Sequence, residues 1–206
     1  MRRSGGAACV AGLLLLLLAG CGGTPGTSDL TGRACLARLS DNDVTYRSLD
    51  DFEPPRSACR VDTAVRVTRV AARLNKPATM SCALAARLDE FERKVVQGLA
   101  RDELGRRVVA INHLGSFSCR GVNGGHSRLS QHALGRAIDI AGFRLSDGTT
   151  VSVEHDWRGS GPKREFLRRI ARKACEHFSV VLTPDSDSFH YNHIHLDIGP
   201  ERACSV

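Results

Sequence analysis

The cysteines set the first constraint on this chain. The sequence contains eight cysteines. Cys9 and Cys21 belong to the N-terminal segment described below, which leaves Cys35, Cys59, Cys82, Cys119, Cys175 and Cys204. The absence of any Cys-x-x-Cys pair argues against a thioredoxin-type redox centre and a cysteine-ligated zinc ribbon. An even set of cysteines in an exported chain indicates disulfides. Spacing alone does not fix their partners, and we predict that neighbours pair: Cys35 with Cys59, Cys82 with Cys119, and Cys175 with Cys204.

The N-terminal segment predicts export. Arg2 and Arg3 provide a basic start, and the apolar run from Cys9 to Ala19 follows them. This run is well short of the roughly 20 residues that a membrane-spanning helix needs, so it is typical of a cleaved signal peptide. We therefore expect residues 1–20 to be removed.

The end of this segment resembles a bacterial lipobox. In Leu18-Ala19-Gly20-Cys21 the cysteine would be lipidated and become the first residue of the mature chain. We expect a protein held in the membrane by lipid on Cys21, and Gly22 after it favours the periplasmic face of the outer membrane by resemblance. An ordinary cleaved signal peptide with an incidental cysteine is the alternative.

Composition bounds the rest of the chain. Residues 21–34 are mostly small or turn-forming and predict a flexible tether, so the folded domain is expected over residues 35–206, enough for a single core. The chain is 42% hydrophobic and 25% charged, which excludes a disordered or multi-span membrane protein. A net charge of +7 favours anionic surroundings such as cell-wall polymers. Export, and the lack of a basic run interleaved with aromatics, argue against a nucleic-acid partner.

Apolar periodicity predicts an α+β domain. Residues spaced by three and four predict one amphipathic helix over Cys82–Leu104 and a second from Pro162 to Phe178. Short β-rich or alternating runs predict strands at Arg107–Leu114, Ala137–Phe143, Thr149–Glu154, Ser179–Leu182 and His193–Ile198. Strands joined by short turns and flanked by two helices indicate a small antiparallel sheet.

Two histidine clusters also contain acids. His132 is followed by Asp139, and His193 and His195 are followed by Asp197, with His190 just before them. On a strand, residues 193, 195 and 197 point to one face. His132 and Asp139 would be about 10.5 Å apart along a helix, so one ion requires the segment to bend, and Gly135 is placed to allow that.

Nitrogen and oxygen ligands from separate strands, with one position left for water, are typical of a catalytic zinc site. Both His-x-His rings could also bind, which gives His132, His193 and His195 as an alternative ligand set. The remaining histidines are expected on the surface or in the core: His113, His126, His155 and His177.

These residues carry a specific resemblance. The segment from Ser130 to Asp139 resembles the Ser-x-His-x-x-Gly-x-Ala-x-Asp motif of the LAS group of zinc peptidases, which includes D-Ala-D-Ala peptidases, murein endopeptidases and the hedgehog signalling domain. Together with Ser118-Cys119-Arg120, Asp156-Trp157 and His193-Ile194-His195-Leu196-Asp197, it is similar to the bacterial extensin-like C-terminal domain family. The resemblance covers about Cys35 to Cys204 and implies a hedgehog/D-Ala-D-Ala peptidase-like fold.

The resemblance also implies roles for individual residues. His132, Asp139 and His195 would bind Zn²⁺, and His193 would be the general base or steady the developing oxyanion. Ser130 matches a residue that helps to hold substrate. Arg120 corresponds more loosely to an arginine that binds the substrate carboxylate. Asp197 would orient a histidine ring as an acceptor behind the metal, and His190 is the other candidate base.

One position departs from some relatives. They carry a carboxylate three residues before the last ligand, where this chain has Asn192, and an amide cannot accept the proton. Hedgehog shows that this architecture need not be an active peptidase. We expect a zinc-dependent peptidase that cuts peptidoglycan stem peptides or cross-links, in a basic cleft near Arg120, Arg128 and Arg136. A zinc-containing envelope module that binds peptidoglycan or glycan without cleavage is the second reading, and histidines that merely pack are the third.

Overall fold

The computed structural model describes residues 32–50, 52–56, 58–122, 125 and 128–206. The predicted signal peptide, the lipidation site Cys21 and most of the predicted tether lie outside the described residues. Helix α1 begins at Gly32, so the last three residues of the predicted tether, 32–34, are helical. Across the described ranges, no helix has both the length and the apolar character to cross a membrane.

The described residues form one mixed α/β unit. Nine strands build one sheet in the order β1-β2-β3-β4-β5-β8-β7-β9, with β6 paired to β5. The strands are β1 Thr45–Ser48, β2 Ala64–Arg69, β3 Arg73–Ser81, β4 Val108–Gly115, β5 Ala137–Leu145, β6 Thr150–Ser152, β7 Val180–Leu182, β8 Ile194–Asp197 and β9 Ala203–Ser205. The helices are α1 Gly32–Asp41, α2 Cys82–Phe91, α3 Gln97–Leu104, α4 Val153–Asp156 and α5 Pro162–Ala174. A π-helical turn, Glu92–Val96, joins α2 to α3.

The sheet is larger than the sequence predicted, and it is not purely antiparallel. β3 pairs with β4 in parallel, and so does β7 with β9. Strands β1 to β3 and β9 and helix α1 were not predicted from the sequence. β1 has only four residues, and β3 contains Pro77 beside the polar Asn75 and Lys76, which strands disfavour.

The predicted elements after Cys82 are present with some changed ends. The helix predicted over Cys82–Leu104 is continuous through the π-helical turn, and the helix predicted from Pro162 to Phe178 ends at Ala174. The strand predicted over Thr149–Glu154 ends at Ser152, because the Ser152 hydroxyl accepts the backbone N–H of His155 and begins α4.

The helices and the buried core cover one face of the sheet, and the candidate site residues lie on the other face. Helix α2 contacts β2 and β3, and α4 contacts β5. Side chains from β2, β5 and β8 join one buried apolar cluster with these helices, namely Val65, Val67, Ile138, Ile140, Ile194 and Leu196. Because side chains alternate along a strand, the intervening Arg66, Asp139 and His195 lie on the face that the helices do not cover.

The disulfides correct two of the predicted pairings. Cys175 pairs with Cys204 as predicted, but Cys35 pairs with Cys82 and Cys59 pairs with Cys119. Cys35 pairs with Cys82 because α1 packs on α2, which brings Cys35 next to the first residue of α2. Cys59 pairs with Cys119 because the guanidinium of Arg56 donates to the carbonyl of Cys119 and brings the Cys59 segment to the loop after β4. All three bridges and all strands lie within residues 32–206.

The π-helical turn holds a buried acid. Glu92 is fully buried, and one of its carboxylate oxygens accepts the amide N–H of Gln97 at 2.5 Å. Its other oxygen has no partner among the described residues. Asp89 also lies close, with its own carboxylate paired to Arg93 at 3.0 Å. Burial raises the pKa of Glu92 to about 7, the charge on Asp89 adds to this, and the Gln97 and Arg93 contacts oppose it.

This burial predicts a pH-dependent stability. Glu92 binds a proton more tightly in the folded chain than in the unfolded chain, so the free energy of unfolding is expected to fall as pH rises from about 4.5 to about 7. The expected loss from this group is about 3 kcal/mol. In Glu92→Gln this part of the pH dependence should disappear, as measured by urea unfolding across that range. A variant with the wild-type pH profile would show that Glu92 is not the group responsible.

Candidate metal centre

His132 is held by a short turn. A 3₁₀ turn, Gln131–Leu134, begins after Ser130, whose hydroxyl accepts the backbone N–H of His132 at 3.3 Å. It ends at Gly135, which has the left-handed φ of 61° and lies where a Cβ atom would be 2.7 Å from the Val61 side chain. The predicted bend at Gly135 is therefore confirmed, and it places His132 beside the start of β5.

Asp139 and His195 meet because their strands are paired. Asp139 is the third residue of β5 and lies directly opposite His195 of β8 in an antiparallel register. Directly opposed residues have Cβ atoms about 4.5–5.5 Å apart, which brings together two side chains that are 56 positions apart. His132, Asp139 and His195 are the three residues, among those the structure describes, that cluster closely enough to share a metal ion.

The three facing atoms have the spacing of a metal site. His132 Nε2 is 3.2 Å from Asp139 Oδ1 and 3.2 Å from His195 Nδ1. Asp139 Oδ1 is 3.0 Å from His195 Nδ1. Ligands about 2.0–2.1 Å from a tetrahedral centre are roughly 3.3–3.4 Å from one another, so these separations are close to one face of such a tetrahedron. The residues present therefore fit a divalent cation with one coordination position left open.

The outer hydrogen bonds fix which ring nitrogens face this centre. The Nδ1 of His132 lies 2.5 Å from the carbonyl oxygen of Ser116, and a carbonyl can only accept, so Nδ1 carries the proton. The Nε2 of His195 is 3.2 Å from the carboxylate of Asp197 and donates to it in the same way. In neutral rings the inward nitrogens then both present lone pairs beside a carboxylate oxygen, which is the arrangement that a cation stabilises.

The pKa shifts of Asp139 and His195 also indicate that this centre favours a positive charge. Burial acts to raise the pKa of Asp139, but hydrogen bonds with His132 and His195 hold it well below its ordinary value. Burial acts to lower the pKa of His195, and the bonds with Asp139 and Asp197 raise it to about 9. A proton on His195 and a metal ion thus compete for the same place, as expected of a site whose ligands must be deprotonated.

His193 lies beside this cluster. Its Nε2 is 3.5 Å from Asp139 Oδ1, and its Nδ1 is 2.9 Å from the amide oxygen of Asn192. Because the amide oxygen accepts, Nδ1 carries the proton and the Nε2 lone pair faces the cluster. Burial lowers the pKa of His193 to about 4 against the attraction of Asp139, so the ring is neutral at pH 7. The alternative set of His132, His193 and His195 is not the one that clusters.

The two predicted supporting residues take different places. Asp197 is buried behind His195 and is itself fixed by the backbone N–H of Gly199 at 2.9 Å. His190 instead bonds to Asp187 at 2.7 Å, with its ring centre 5.1 Å from that of His193. Asp197 therefore hydrogen-bonds to a cluster ligand, while His190 packs its ring against the rings of His193 and of the ligand His195, whose centre is 5.9 Å away.

A cleft of about 420 Å³ opens over the cluster. The residues that line it include Ser130, Arg120 and Arg128, together with the apolar Leu182 and Phe189. Arg120 is exposed, and Arg128 forms an ion pair with Glu201, which also lines the cleft. Basic and apolar side chains in one cleft suit a ligand that carries a carboxylate beside an apolar group.

The prediction that Arg136 lies in the basic cleft is wrong. Its guanidinium pairs with Asp62 at 2.8 Å and lines a separate cavity beside Cys35 and Cys82. It therefore does not contribute to the wall over the metal cluster.

The other histidines lie away from the cluster where they are described. His113 is buried with its Nε2 2.9 Å from the carbonyl oxygen of Lys76, His155 is exposed, and His177 packs beside Phe91. His126 lies outside the described residues. Four contributors were not predicted from the sequence: the backbone carbonyl of Ser116, which no side-chain pattern indicates, and Gln131, Phe189 and Glu201 in the cleft. Adjacency of Gln131 to His132 was the one available signal.

Comparison with known proteins gives one match. The family model described as Extensin-like protein C-terminus matches residues 33–205, a range that contains the 3₁₀ turn, β5 and β8. Neither the curated proteins nor the solved structures yield a match.

Proposed function

The chain belongs to the family of extensin-like protein C-termini, and for this member we propose a zinc-dependent peptidase that acts on peptidoglycan stem peptides or cross-links. The family description carries no catalytic assignment. The proposal is supported chiefly by one observation. His132, Asp139 and His195 present three lone-pair atoms that lie 3.0–3.2 Å from one another around a common centre, beneath an open cleft.

The donor set supports zinc. Two imidazole nitrogens and one carboxylate oxygen are the ligands of several catalytic zinc sites, and such sites keep one position for water or substrate. A bound zinc ion supplies Lewis-acid polarisation of a scissile carbonyl and acidifies water at the site.

His193 is the proton carrier of the proposed reaction. Its neutral Nε2 accepts the proton of the attacking water and returns a proton to the nitrogen of the leaving amine as the C–N bond breaks. Asn192 holds the ring in the tautomer that this step needs, through the 2.9 Å contact with Nδ1. Asp197 and the Ser116 carbonyl keep the two imidazole ligands oriented.

The cleft supports a peptide with free carboxylates. Arg120 and Arg128 are among the residues that line it, and a guanidinium binds carboxylates in a bidentate manner. Peptidoglycan stem peptides carry such carboxylates on their D-residues and diamino acids, next to small apolar side chains that suit Leu182 and Phe189. Ser130 lines the same cleft, although its hydroxyl already accepts the N–H of His132.

The proposed location is the cell envelope. Three disulfides within residues 32–206 are typical of an oxidising, exported environment. Lipid anchoring through Cys21 at the periplasmic face of the outer membrane is part of the proposal, and it would place the cleft next to its substrate.

A non-catalytic module is the second candidate, and two observations favour it. Asn192 stands where some related peptidases carry a carboxylate base, and the pKa of His193, about 4, makes that ring a weak base. The chain would then bind zinc and peptidoglycan or glycan without cleaving them.

Digestion of muropeptides separates the two candidates. We expect the zinc-loaded chain to release new amine ends that mass spectrometry assigns to one class of amide bond, and a chelator to abolish the release. Stoichiometric zinc with peptide binding but no new amine would establish the module instead.

A further inference from the structure

A group of arginines lies at the end of the sheet remote from the metal cluster. Strands β1, β2 and β3 carry four exposed arginines, Arg47, Arg66, Arg69 and Arg73, which we call the arginine face. Arg47 is directly opposite Arg66, and Arg69 is directly opposite Arg73. Side chains in such positions have Cβ atoms about 4.5–5.5 Å apart, and like charges there destabilise a sheet. The two pairs of opposed arginines therefore work against folding, which points to an anion from outside the chain that neutralises them.

The four side chains share the face of the sheet that is free of helices. Val65, Val67 and Val70 are fully buried, so Arg66 alternates outward between the first two. The register shifts between Val67 and Arg69, as in a β-bulge, which turns two successive residues to the same side. Arg69 therefore faces outward with Arg66 before Val70 returns to the core.

Within the described ranges, none of the four arginines forms an ion pair. Arg106 and Arg136, by contrast, each contact a carboxylate. A shallow groove of about 340 Å³ lies along Arg69 and Arg73 and is also lined by Thr45 and Thr68. Guanidinium groups bind phosphate oxygens in pairs, so this groove offers phosphate two unpaired donors next to each other.

We propose that the arginine face binds the phosphate-bearing headgroups of an anionic membrane surface. The four guanidinium groups are spread over three neighbouring strands in a shallow, open area, which suits several headgroups in a plane better than one enclosed ligand. Only residues 22–31 separate the predicted lipid on Cys21 from Gly32, so a lipidated chain would keep the folded domain near a bilayer. A basic surface is a common second signal for membrane attachment.

This surface is distinct from the metal cluster. β2 and β8 are separated by three strands in the sheet, and strands about 4.8 Å apart put the two sites roughly 19 Å from each other. The proposed membrane binding therefore does not rest on peptidase activity, and either proposal can fail while the other holds.

Vesicle sedimentation tests the proposal with a chain that lacks residues 1–21 and so carries no lipid. It should bind vesicles that contain phosphatidylglycerol, bind less as salt is raised, and leave phosphatidylcholine vesicles unbound. Arg69→Gln/Arg73→Gln is expected to weaken binding about 25-fold, at about fivefold for each arginine. Arg47→Gln/Arg66→Gln should have a similar effect, and thermal unfolding of both variants should match or exceed that of the wild type because like charges are removed.

The control variant removes the same charge elsewhere. Arg101→Gln/Arg172→Gln alters two exposed arginines of α3 and α5 and should bind vesicles as the wild type does. Equal losses in the control and in the Arg69/Arg73 variant would reduce the effect to net charge and overturn the proposal. It would also be overturned if inorganic phosphate or soluble polyphosphate bound this face while anionic vesicles did not.

Discussion

Replacing Asp139 by alanine is expected to weaken zinc binding more than about 100-fold, because even the partners behind metal ligands contribute 10- to 100-fold to affinity. Asp139 Oδ1 contacts both inward ring nitrogens, at 3.0 and 3.2 Å. The substitution therefore removes one of the three ligands and the negative charge that this ligand brings to the centre. Titration of metal-free protein with zinc against a competing chelator measures the change.

A stability measurement provides a second readout of the same variant. At free zinc 100 times the dissociation constant, zinc should raise the free energy of unfolding of the wild type by about 2.7 kcal/mol, and at the same concentration it should have little effect on Asp139→Ala. Asp102→Ala, which removes an exposed acid of α3, is the matched control and should respond as the wild type. Tight stoichiometric zinc in Asp139→Ala would contradict the ligand set and favour the three-histidine alternative.

Replacing His193 by alanine is expected to lower kcat/KM for muropeptide hydrolysis about 10²- to 10⁴-fold, the usual contribution of a general acid–base group, while zinc binding is retained. The distinction follows from position: His193 Nε2 is 3.5 Å from Asp139 Oδ1 but lies outside the group of three that clusters. Steady-state rates and zinc content, measured on the same preparation, give both quantities.

His155→Ala is the matched control for this change, since His155 is an exposed histidine on the short helix α4 and should leave both rate and zinc content unchanged. A His193→Ala variant with the wild-type rate would remove this residue from the chemistry. A variant that lost its zinc would instead make His193 a metal ligand.

The turn and the strand that carry the candidate metal ligands could be predicted from local sequence patterns, whereas the choice of His132, Asp139 and His195 over the three-histidine set came from the family resemblance. Ser130, Gly135 and the spacing from His132 to Asp139 define a turn followed by a strand, and His193-x-His195 predicts a strand that presents alternate residues to one face. The sequence does not specify that β5 pairs with β8 in a register that opposes Asp139 to His195. That pairing depends on the long-range packing of Ile138, Ile140, Ile194 and Leu196 in the core, and it was not predicted.

The first 50 residues of the domain were harder to predict for a different reason. β1 is too short for a periodic signal, and β3 contains Pro77 among polar residues. Without these strands, nothing indicated that α1 packs on α2, and the pairing of Cys35 with Cys82 could not be expected. Cys175 and Cys204 flank β7 and β8, and the parallel pairing of β7 with β9 brings Cys204 back beside the end of α5, so there the pairing of neighbours was correct.

A crystal structure of the zinc-loaded chain, with anomalous diffraction recorded at the zinc edge, tests the metal site most directly. We expect one strong peak about 2.0–2.2 Å from His132 Nε2, Asp139 Oδ1 and His195 Nδ1, with a fourth position open to the cleft. A peak bound elsewhere, or none between these three residues at stoichiometric zinc, would contradict it.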